Sequence, residues 1–155
     1  LVYMLNANPG MCAFARELAE RERMCARIVT FNPLKRAPEG LEGVCLPKPE
    51  EWVALFRDAS YVVTDSFHGT CFSLLFECPV IVFDPPKFSV RLKDVLGDFA
   101  LADRRAADGR DPMAIADAVI DWNAVRASKE KFAKEAKAFL DGAFGTCVEV
   151  GQNGR

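Results

Sequence analysis

The chain has a single histidine, His68, which lies in a short polar run between two apolar segments. The same run contains Asp65, Ser66, Gly69 and Thr70. An imidazole gains and loses a proton near neutral pH, which is the property that general acid–base catalysis requires. Hydroxyl groups and the backbone amides around a helix start bind the oxygen atoms of anionic ligands. These residue types therefore predict a ligand site in which His68 transfers a proton.

The elements on either side of this run support such a site. Tyr61–Thr64 has the pattern of a buried strand, and residues 70–77 have that of a helix. Open α/β sheets bind ligands at the carboxyl ends of their strands, and the amides at a helix start favour an anion. A lone histidine is also compatible with a core position bonded to a backbone carbonyl. We favour the ligand or acid–base role because His68 follows a strand end.

The neighbours of His68 have a structural alternative. Ser66 or Asp65 is able to cap the helix, because a short polar side chain accepts a hydrogen bond from the free amides of the first turn. The alternative for Gly69 is a purely structural role, in which a glycine lets the turn close. On the sequence alone, capping and ligand binding both stay open for these residues.

A second candidate lies after the next predicted strand. Ser89 and Arg91 follow the strand at residues 80–83, and their loop is expected at the same edge of the sheet as His68. An arginine in that position binds a carboxylate or a phosphate through two parallel hydrogen bonds. The alternative for Arg91 is a surface ion pair with Asp94 on the same helix.

Other polar residues carry weaker predictions. Arg104 and Arg105 flank a predicted turn and are expected to be solvated. Asn6 and Asn8 follow the first strand, and each either reaches the same crevice or forms an Asx turn.

Strands and helices alternate along the sequence. The predicted strands cover residues 1–5, 26–31, 44–46, 61–64 and 80–83, and the predicted helices lie near residues 11–19, 49–59, 70–77, 88–96, 112–120 and 123–144. This alternation is typical of a parallel sheet with helices on both faces. We predict an α/β fold, a single Rossmann-like three-layer domain with a mainly parallel sheet over residues 1–145, followed by a loose tail over residues 146–155.

The composition excludes several classes of protein. The chain has 155 residues, of which 27% are charged, and a net charge of −2, which is typical of one globular domain and gives no reason to expect a nucleic acid partner. No apolar run reaches the ~18 residues that cross a bilayer, and no secretory signal is visible. We expect a cytoplasmic protein. Because residue 1 is a leucine already within a strand, we also expect the chain to be a piece of a longer protein.

The cysteines and the short motifs point away from metal and nucleotide sites. The six cysteines occur singly in apolar contexts, so we expect free thiols and no disulfides. With no CxxC pair and one histidine, no metal site is predicted. The turn at Asn8-Pro9-Gly10 lacks the GxGxxG spacing of a dinucleotide fingerprint.

Residues 59–73 resemble a motif of the polysaccharide pyruvyl transferase family. The family pattern is Ala-Asp-x-Val-(Ile/Val)-Thr-(Asp/Asn)-Ser-Phe-His-Gly-Thr-x-Phe-Ser, and this chain reads Ala-Ser-Tyr-Val-Val-Thr-Asp-Ser-Phe-His-Gly-Thr-Cys-Phe-Ser. The apolar strand after Pro79 and the later Ser89-x-Arg91 element also match. The resemblance extends in order over about residues 1–145.

This resemblance implies both a fold and a reaction. The fold is the second domain of a GT-B glycosyltransferase, whose active cleft is shared with an N-terminal domain absent from this chain. In the reaction, which belongs to exopolysaccharide biosynthesis, phosphoenolpyruvate gives its pyruvyl group to two hydroxyls of a saccharide or lipid-linked saccharide as a ketal, and phosphate is released. Phosphoenolpyruvate is a co-substrate, and no cofactor is implied. We expect the isolated chain to be inactive and its parent to lie in the cytoplasm, either free or at the inner face of the membrane.

The resemblance also implies a role for each site residue. His68 is the general acid that protonates the methylene carbon of the enol, and the substrate-binding residues are Ser66, Gly69, Thr70, Ser89 and Arg91. Some members carry an arginine where this chain has Ser66, which leaves anion binding to Arg91 or to the absent domain.

Two other classes of function are compatible with the same residues. One is a GT-B glycosyltransferase that uses a nucleotide-sugar donor in the same crevice. The other is a non-catalytic ligand-binding or interaction domain. Binding of phosphoenolpyruvate rather than a nucleotide-sugar distinguishes the pyruvyl transferase from the first of these.

Overall fold

The computed structural model describes residues 1–87 and 89–152, and residues 145–152 by their backbone alone. The chain divides into two compact units, Leu1–Ile120 and Asp121–Arg155. The strands of the first unit are β1 (Val2–Tyr3), β2 (Arg27–Thr30), β3 (Glu42–Cys45), β4 (Val62–Thr64), β5 (Val80–Phe83) and β6 (Arg105–Ala106). Its helices are α1 (Pro9–Arg21), α2 (Pro49–Arg57), α3 (Phe67–Leu75), α4 (Val90–Asp98) and α5 (Pro112–Asp117), and the second unit contains α6 (Trp122–Gln152).

The strands found in the described part of the chain form one parallel sheet in the order β3-β2-β1-β4-β5-β6. The strand order reverses between β1 and β4, where Val2 lies opposite Val63 and Tyr3 opposite Thr64. Rossmann-like sheets open a crevice for ligands at such a reversal. The predicted α/β fold with a parallel sheet is therefore confirmed.

Helices cover both faces of this sheet. One face packs against α1 and α5, and its core consists of buried side chains from these helices, the sheet and one loop: Val2, Met11, Phe14, Ala15, Leu18, Ile28, Leu41, Val63, Ile81, Ile115 and Ala116. On the other face, α3 packs between α2 and α4. An aromatic cluster lies on this second face, in which the rings of Tyr3, Phe56 and Phe72 surround Trp52.

The helices begin and pack where the sequence pattern places them. In α1 the buried residues Met11, Phe14, Ala15 and Leu18 recur at helical spacing, and each large apolar side chain contributes roughly 1.5–3 kcal/mol of burial. In α2 a proline occupies the first position, and the Lys48 amide donates to Glu51 Oε2 at 2.9 Å. These first-turn features stabilise a helix start because they satisfy or remove free amides.

Strand β6 is not among the predicted strands. It has two residues, one of them an arginine, and so carries no hydrophobic period. Its pairing with β5, which aligns Val82 with Arg105 and Phe83 with Ala106, is what defines it. Only the tertiary contact with β5 turns this segment into a strand.

The prediction that Arg104 and Arg105 are solvated is wrong. Arg104 is 1% exposed, and its guanidinium donates to the carbonyls of Ile115 at 2.7 Å and Ala118 at 2.8 Å. These carbonyls lie at the end of α5, where helix acceptors are under-used, and the Ile115 carbonyl also accepts from the Ala118 amide at 3.3 Å. Arg105 is half-buried and pairs with Asp84, which follows β5. Arg104 is buried and Arg105 is half-buried because carbonyl or carboxylate oxygens accept their N–H groups.

The long helix α6 extends further than predicted. Its backbone is helical from Trp122 to Gln152, whereas the prediction ended the helix near residue 144 and placed a loose tail from residue 146. The helical part therefore includes the first residues of the predicted tail, and residues 153–155 lie outside the described residues. The predicted domain over residues 1–145 spans all of the first unit and most of the second.

Within the described residues, no helix combines the length and the apolarity needed to span a membrane.

The cysteines whose side chains the structure describes are free thiols, as predicted. They are Cys12, Cys25, Cys45, Cys71 and Cys78. The prediction for Cys147 falls outside the described side chains. Burial raises the pKa of the Cys78 thiol to about 11.

Candidate functional site

The turn between β4 and α3 is held by hydrogen bonds from its own side chains. The Thr64 hydroxyl donates to the Tyr3 carbonyl at 2.7 Å and accepts from the Ser66 amide at 3.0 Å. Ser66 caps α3, because its hydroxyl accepts from the Gly69 amide at 3.3 Å. The Thr70 hydroxyl donates back to the Ser66 carbonyl at 3.0 Å. The start of α3 is therefore fixed to the carboxyl ends of β1 and β4.

Gly69 lets α3 approach the sheet closely. A Cβ atom at this position would overlap the Thr64 hydroxyl and would lie 3.0 Å from Cδ1 of Tyr3. Both neighbours are packed in the core and have no free space to move into, since Thr64 is 0% exposed and Tyr3 is 9% exposed. Only glycine fits between them, which is a packing reason for the glycine of this motif.

His68 is exposed to solvent in the first turn of α3. Its ring lies edge-on to Phe67, with the ring centroids 5.9 Å apart. Among the described residues, no side chain or carbonyl holds the His68 ring by a hydrogen bond. The buried-core alternative for this histidine does not fit the structure, and the imidazole is accessible to a ligand.

Arg91 lies beside the same phenylalanine. Its guanidinium carbon is 5.4 Å from the centroid of the Phe67 ring, within the range of a cation–π contact. No ion pair joins Arg91 to Asp94 within the part of the chain that the structure describes, so the helix-surface alternative is not observed. The structure thus brings His68 and Arg91 next to the same aromatic ring, at the carboxyl edge of β4 and β5.

Ser89 immediately precedes α4, which contains Arg91. It is half-buried, and its side chain makes no capping hydrogen bond, although its carbonyl accepts from the Lys93 amide at 3.0 Å. The hydroxyl of Ser89 is therefore available to a ligand at the start of the same helix as Arg91.

The other predicted binding residues are buried and already engaged. Ser66 is 1% exposed, Thr70 is 0% exposed, and Gly69 is buried. The amides of Gly69 and Thr70 both donate to Ser66, so they are not free to bind an anion as the sequence analysis expected. This geometry favours a positioning role for these residues. Among the described residues, nothing accepts a hydrogen bond from the amides of Phe67 and His68, so these two are left for a ligand in this turn.

The role of Asp65 differs from both sequence interpretations. Its carboxylate neither caps α3 nor faces solvent, being 4% exposed. It accepts from the amides of Leu5 at 2.7 Å and Asn6 at 2.9 Å, and from the Asn6 side chain at 2.8 Å. These donors lie about sixty positions earlier in the chain, so no local pattern could have found them. Asp65 thus ties the turn after β1 to the start of α3.

The two asparagines of the first turn have separate functions. Asn6 binds Asp65 through its side chain, as described above. Asn8 caps α1, because its side-chain oxygen accepts from the Met11 amide at 3.1 Å. Neither side chain is free in the crevice, although both lie at its edge.

Tyr3 is a residue of this region that the sequence analysis missed. Its ring packs against Gly69, Trp52 and Phe56, at the end of β1. Burial raises the pKa of the Tyr3 phenol, and the negative charge of Asp65 raises this pKa further, while hydrogen bonding by Ser66 lowers it. The phenol therefore stays protonated at neutral pH and remains a hydrogen-bond donor beside the start of α3.

Two cavities of the described structure lie away from His68. A cavity of about 530 Å³ opens at the amino ends of β1, β2 and β4, between α1 and α2. A second of about 360 Å³ lies along α1, beside the loop at residues 38–39. Neither is lined by His68 or Arg91, which lie on an open surface. We place the candidate site at that surface because it has the exposed imidazole and guanidinium that chemistry requires, which cavity size alone does not supply.

No group of three or more histidine, cysteine, aspartate or glutamate side chains within the described residues is arranged to hold a metal ion. The groups that the structure places at the carboxyl edge are the His68 imidazole, the Arg91 guanidinium, the Ser89 hydroxyl and the amides of Phe67 and His68.

By its fold and by the position of this site, the first unit belongs to the class of Rossmann-like α/β units, in which ligand-binding groups lie at the carboxyl ends of the strands. A solved structure of the glycotransferase of kitacinnamycin superimposes on 83% of this chain with a TM-score of 0.57 and 13% sequence identity. At that identity the likeness shows the fold alone. The chain spans 38% of the length of that structure. No curated protein sequence matches the chain.

The family model for polysaccharide pyruvyl transferase matches residues 16–86, from within α1 to the segment after β5. The match includes the whole turn that carries His68, and it confirms the resemblance found in the sequence. Ser89 and Arg91 lie just beyond the matched residues. The matched family model is named for a transferase, and the solved structure shows the fold alone.

Proposed function

We propose that this chain is the C-terminal domain of a polysaccharide pyruvyl transferase, which moves the pyruvyl group of phosphoenolpyruvate to two sugar hydroxyls as a ketal. The observation that carries the proposal is the placement of an exposed imidazole and an exposed guanidinium around Phe67, inside or next to the region that matches the family. An acid and an anion-binding group are the two functions that an enol phosphate donor requires.

The reaction proceeds by addition and then elimination. A proton is added to the methylene carbon of phosphoenolpyruvate, which becomes a methyl group, and the adjacent carbon acquires cationic character. One sugar hydroxyl attacks this carbon and loses its proton. The bond from this carbon to the phosphate oxygen then breaks, a second hydroxyl attacks, and its proton leaves with the phosphate. The two hydroxyl protons therefore balance the new C–H bond and the released phosphate.

His68 supplies the first proton in this scheme. Its ring is exposed, and within the described residues it has no hydrogen-bonding partner to turn it away from a substrate. A positioned acid of this kind contributes about 10²–10⁴-fold to a rate. The buried hydrogen bonds of Thr64, Ser66 and Thr70 hold the turn that carries the ring.

Arg91 binds the carboxylate or the phosphate of the donor. The ring of Phe67 supports the guanidinium on one face, which limits its side-chain freedom while leaving its N–H groups free for two parallel bonds. The free amides of Phe67 and His68 add donors at the positive end of α3. A charge-assisted hydrogen bond to Arg91 contributes about 1.5–3 kcal/mol.

The first test uses the single histidine as a reporter. Because the chain has one histidine, the imidazole region of its proton–carbon NMR spectrum contains the signals of His68 alone. We expect phosphoenolpyruvate to shift these signals saturably, and Arg91→Ala to weaken that binding by about 10- to 150-fold. Lys93→Ala, two residues further along the exposed face of α4, is the matched control and should leave the affinity unchanged. A response to a nucleotide-sugar but not to phosphoenolpyruvate would support the glycosyltransferase alternative instead.

The second test measures turnover in the full-length protein that carries this chain. His68→Ala should lower pyruvyl transfer by about 10²-fold or more, and His68→Gln should be nearly as poor because an amide is not a useful acid. Arg91→Ala should act chiefly on the Michaelis constant for phosphoenolpyruvate, and Arg91→Lys should restore it only in part. The isolated chain should show no turnover. Unchanged turnover in His68→Ala would remove this histidine from the mechanism.

A further inference from the structure

The turn after β1 presents two successive backbone amides to one point. The N–H groups of Leu5 and Asn6 both donate to the carboxylate of Asp65, one to each oxygen. Successive amides that converge in this way form an anion-binding concavity. The concavity lies at the reversal of strand order between β1 and β4, where Rossmann-like folds bind the phosphates of a nucleotide.

In this chain the concavity contains the protein's own anion. The carboxylate of Asp65 is 4% exposed and has hydrogen bonds on both oxygens, so it is a fixed charge and not a mobile surface group. A second negative charge placed a few ångströms away would be repelled, and it would find both amides in use.

The start of α1 is unfavourable to a phosphate for separate reasons. Its first residue is Pro9, which has no N–H group. The Met11 amide donates to the Asn8 side chain at 3.1 Å, and the Cys12 amide donates to the Asn8 carbonyl at 3.3 Å. Within the part of the chain that the structure describes, the Gly10 amide is thus the one left for a pyrophosphate at the start of α1.

We propose that Asp65 is a specificity-determining residue, whose carboxylate occupies the anion position at the β1–β4 crevice and excludes a ligand diphosphate from it. An anionic ligand is then restricted to the other side of β4, where Phe67, His68 and Arg91 lie. The fold thus accepts a small anion near α3 and α4 and rejects a nucleoside diphosphate at the usual dinucleotide position. This inference rests on the geometry of the crevice and not on the identity of the pyruvyl donor.

The test follows the amide signals of Leu5 and Asn6 in proton–nitrogen NMR spectra during titration with inorganic pyrophosphate. In the wild-type chain we expect these two signals to stay in place. In Asp65→Ala, where the carboxylate is gone, both should shift saturably, with an affinity at least about tenfold above any wild-type binding, or about 1.4 kcal/mol. Asp65→Asn, which keeps the shape but not the charge, should show the same shifts more weakly and serves if the alanine variant does not fold.

Asp84→Asn is the matched control, because Asp84 also follows a strand end but pairs with Arg105 instead of backbone amides. It should behave as the wild type. A saturable shift of Leu5 and Asn6 in the wild-type chain would overturn the proposal, as would a folded Asp65 variant whose two amides ignore pyrophosphate. Fast hydrogen exchange of these amides in the wild type would also overturn it, since amides bonded to a buried carboxylate exchange slowly. None of these readouts depends on phosphoenolpyruvate, so this proposal and the proposed function can fail separately.

Discussion

Two strand-to-helix junctions meet at the reversal of strand order, and they are built in opposite ways. The junction from β1 to α1 is a turn over residues 4–8, most of it exposed, whereas the junction from β4 to α3 consists of Asp65 and Ser66, both buried. Each helix has a side-chain cap, Asn8 for α1 and Ser66 for α3. The long junction donates its amides, and the short one supplies the carboxylate that accepts them.

This difference explains where a ligand has room. Buried side chains and the sheet hold the short junction, and the exposed side chain of His68 follows it in the first turn of α3. The long junction is exposed, yet its converging amides are already used. A fold that offers two possible anion sites at its switch point therefore retains the one beside α3 and α4.

The largest expected effect on stability comes from adding a methyl group at Gly69, which packs against the short junction. Gly69→Ala places a methyl group against Thr64 and Tyr3, neither of which has room to move. We expect a loss of about 3 kcal/mol in the free energy of unfolding, the upper end of the usual cost of overpacking. Urea denaturation of both proteins measures it.

Two glycines provide matched controls for that substitution. Gly10 lies in the first turn of α1, where an added Cβ meets only the Asn8 side-chain oxygen at 3.3 Å, so Gly10→Ala should change the stability by about 0.5 kcal/mol or less. Gly97 lies within α4 with nothing near its Cβ position, and Gly97→Ala should stabilise by about 0.5–1 kcal/mol. A Gly69→Ala protein as stable as the Gly10→Ala protein would contradict the rigid packing of the short junction.

Removing either helix cap should lower the stability by a smaller amount, and the two caps should differ in that amount. Ser66→Ala removes a buried acceptor and leaves the Gly69 amide without a partner. Asn8 is only half-buried, so in Asn8→Ala water reaches the space that its side chain leaves and can bind the Met11 amide. We expect losses of about 2 kcal/mol for Ser66→Ala and about 1 kcal/mol for Asn8→Ala. Thermal unfolding of the two variants gives the comparison, and equal losses would mean that burial does not distinguish the junctions.

The smallest expected effect is a change in the pKa of Tyr3 when the negative charge of Asp65 is removed. The chain has two tyrosines, so Tyr61→Phe leaves Tyr3 as the only phenol, and its ultraviolet titration reports one pKa. Asp65→Asn should lower the pKa of Tyr3, because it removes the second cause of its elevation, but burial should keep this pKa above its ordinary value. Asp84→Asn should leave the titration unchanged. A pKa that ignores Asp65→Asn would mean that the carboxylate does not act on β1.

The sign of the associated stability change follows from the direction of this shift. Because the folded state raises the pKa of Tyr3, the stability that its burial provides is fully present below the ordinary tyrosine pKa. The free energy of unfolding then decreases as the pH rises through the folded-state pKa. Asp65→Asn lowers only the folded-state pKa, so the decrease should still begin at the ordinary tyrosine pKa but end at a lower pH and be smaller in total.

Much of the fold could be predicted from the hydrophobic period and the turn residues of the sequence. The switch from the apolar run at Tyr61–Thr64 to a helical pattern located the junction, and the resemblance of residues 59–73 to a family motif agrees with the family model that matches residues 16–86. Strand β5 and the start of α2 were also predicted, since a continuous apolar run and a first-turn proline are local signals. These features depend on residues within a few positions of one another.

Contacts between distant residues decided the rest. Asp65 finds its donors about sixty positions earlier, and the pairing with β5 turns Arg105–Ala106 into a strand. Arg104 was predicted to be solvated, yet carbonyls eleven and fourteen positions later accept its N–H groups and allow it to be buried. The sequence determined which segments form the sheet and which residues carry chemistry. Only the tertiary structure decided which polar groups satisfy one another, because a hydrogen bond across the sheet leaves no pattern in the local sequence.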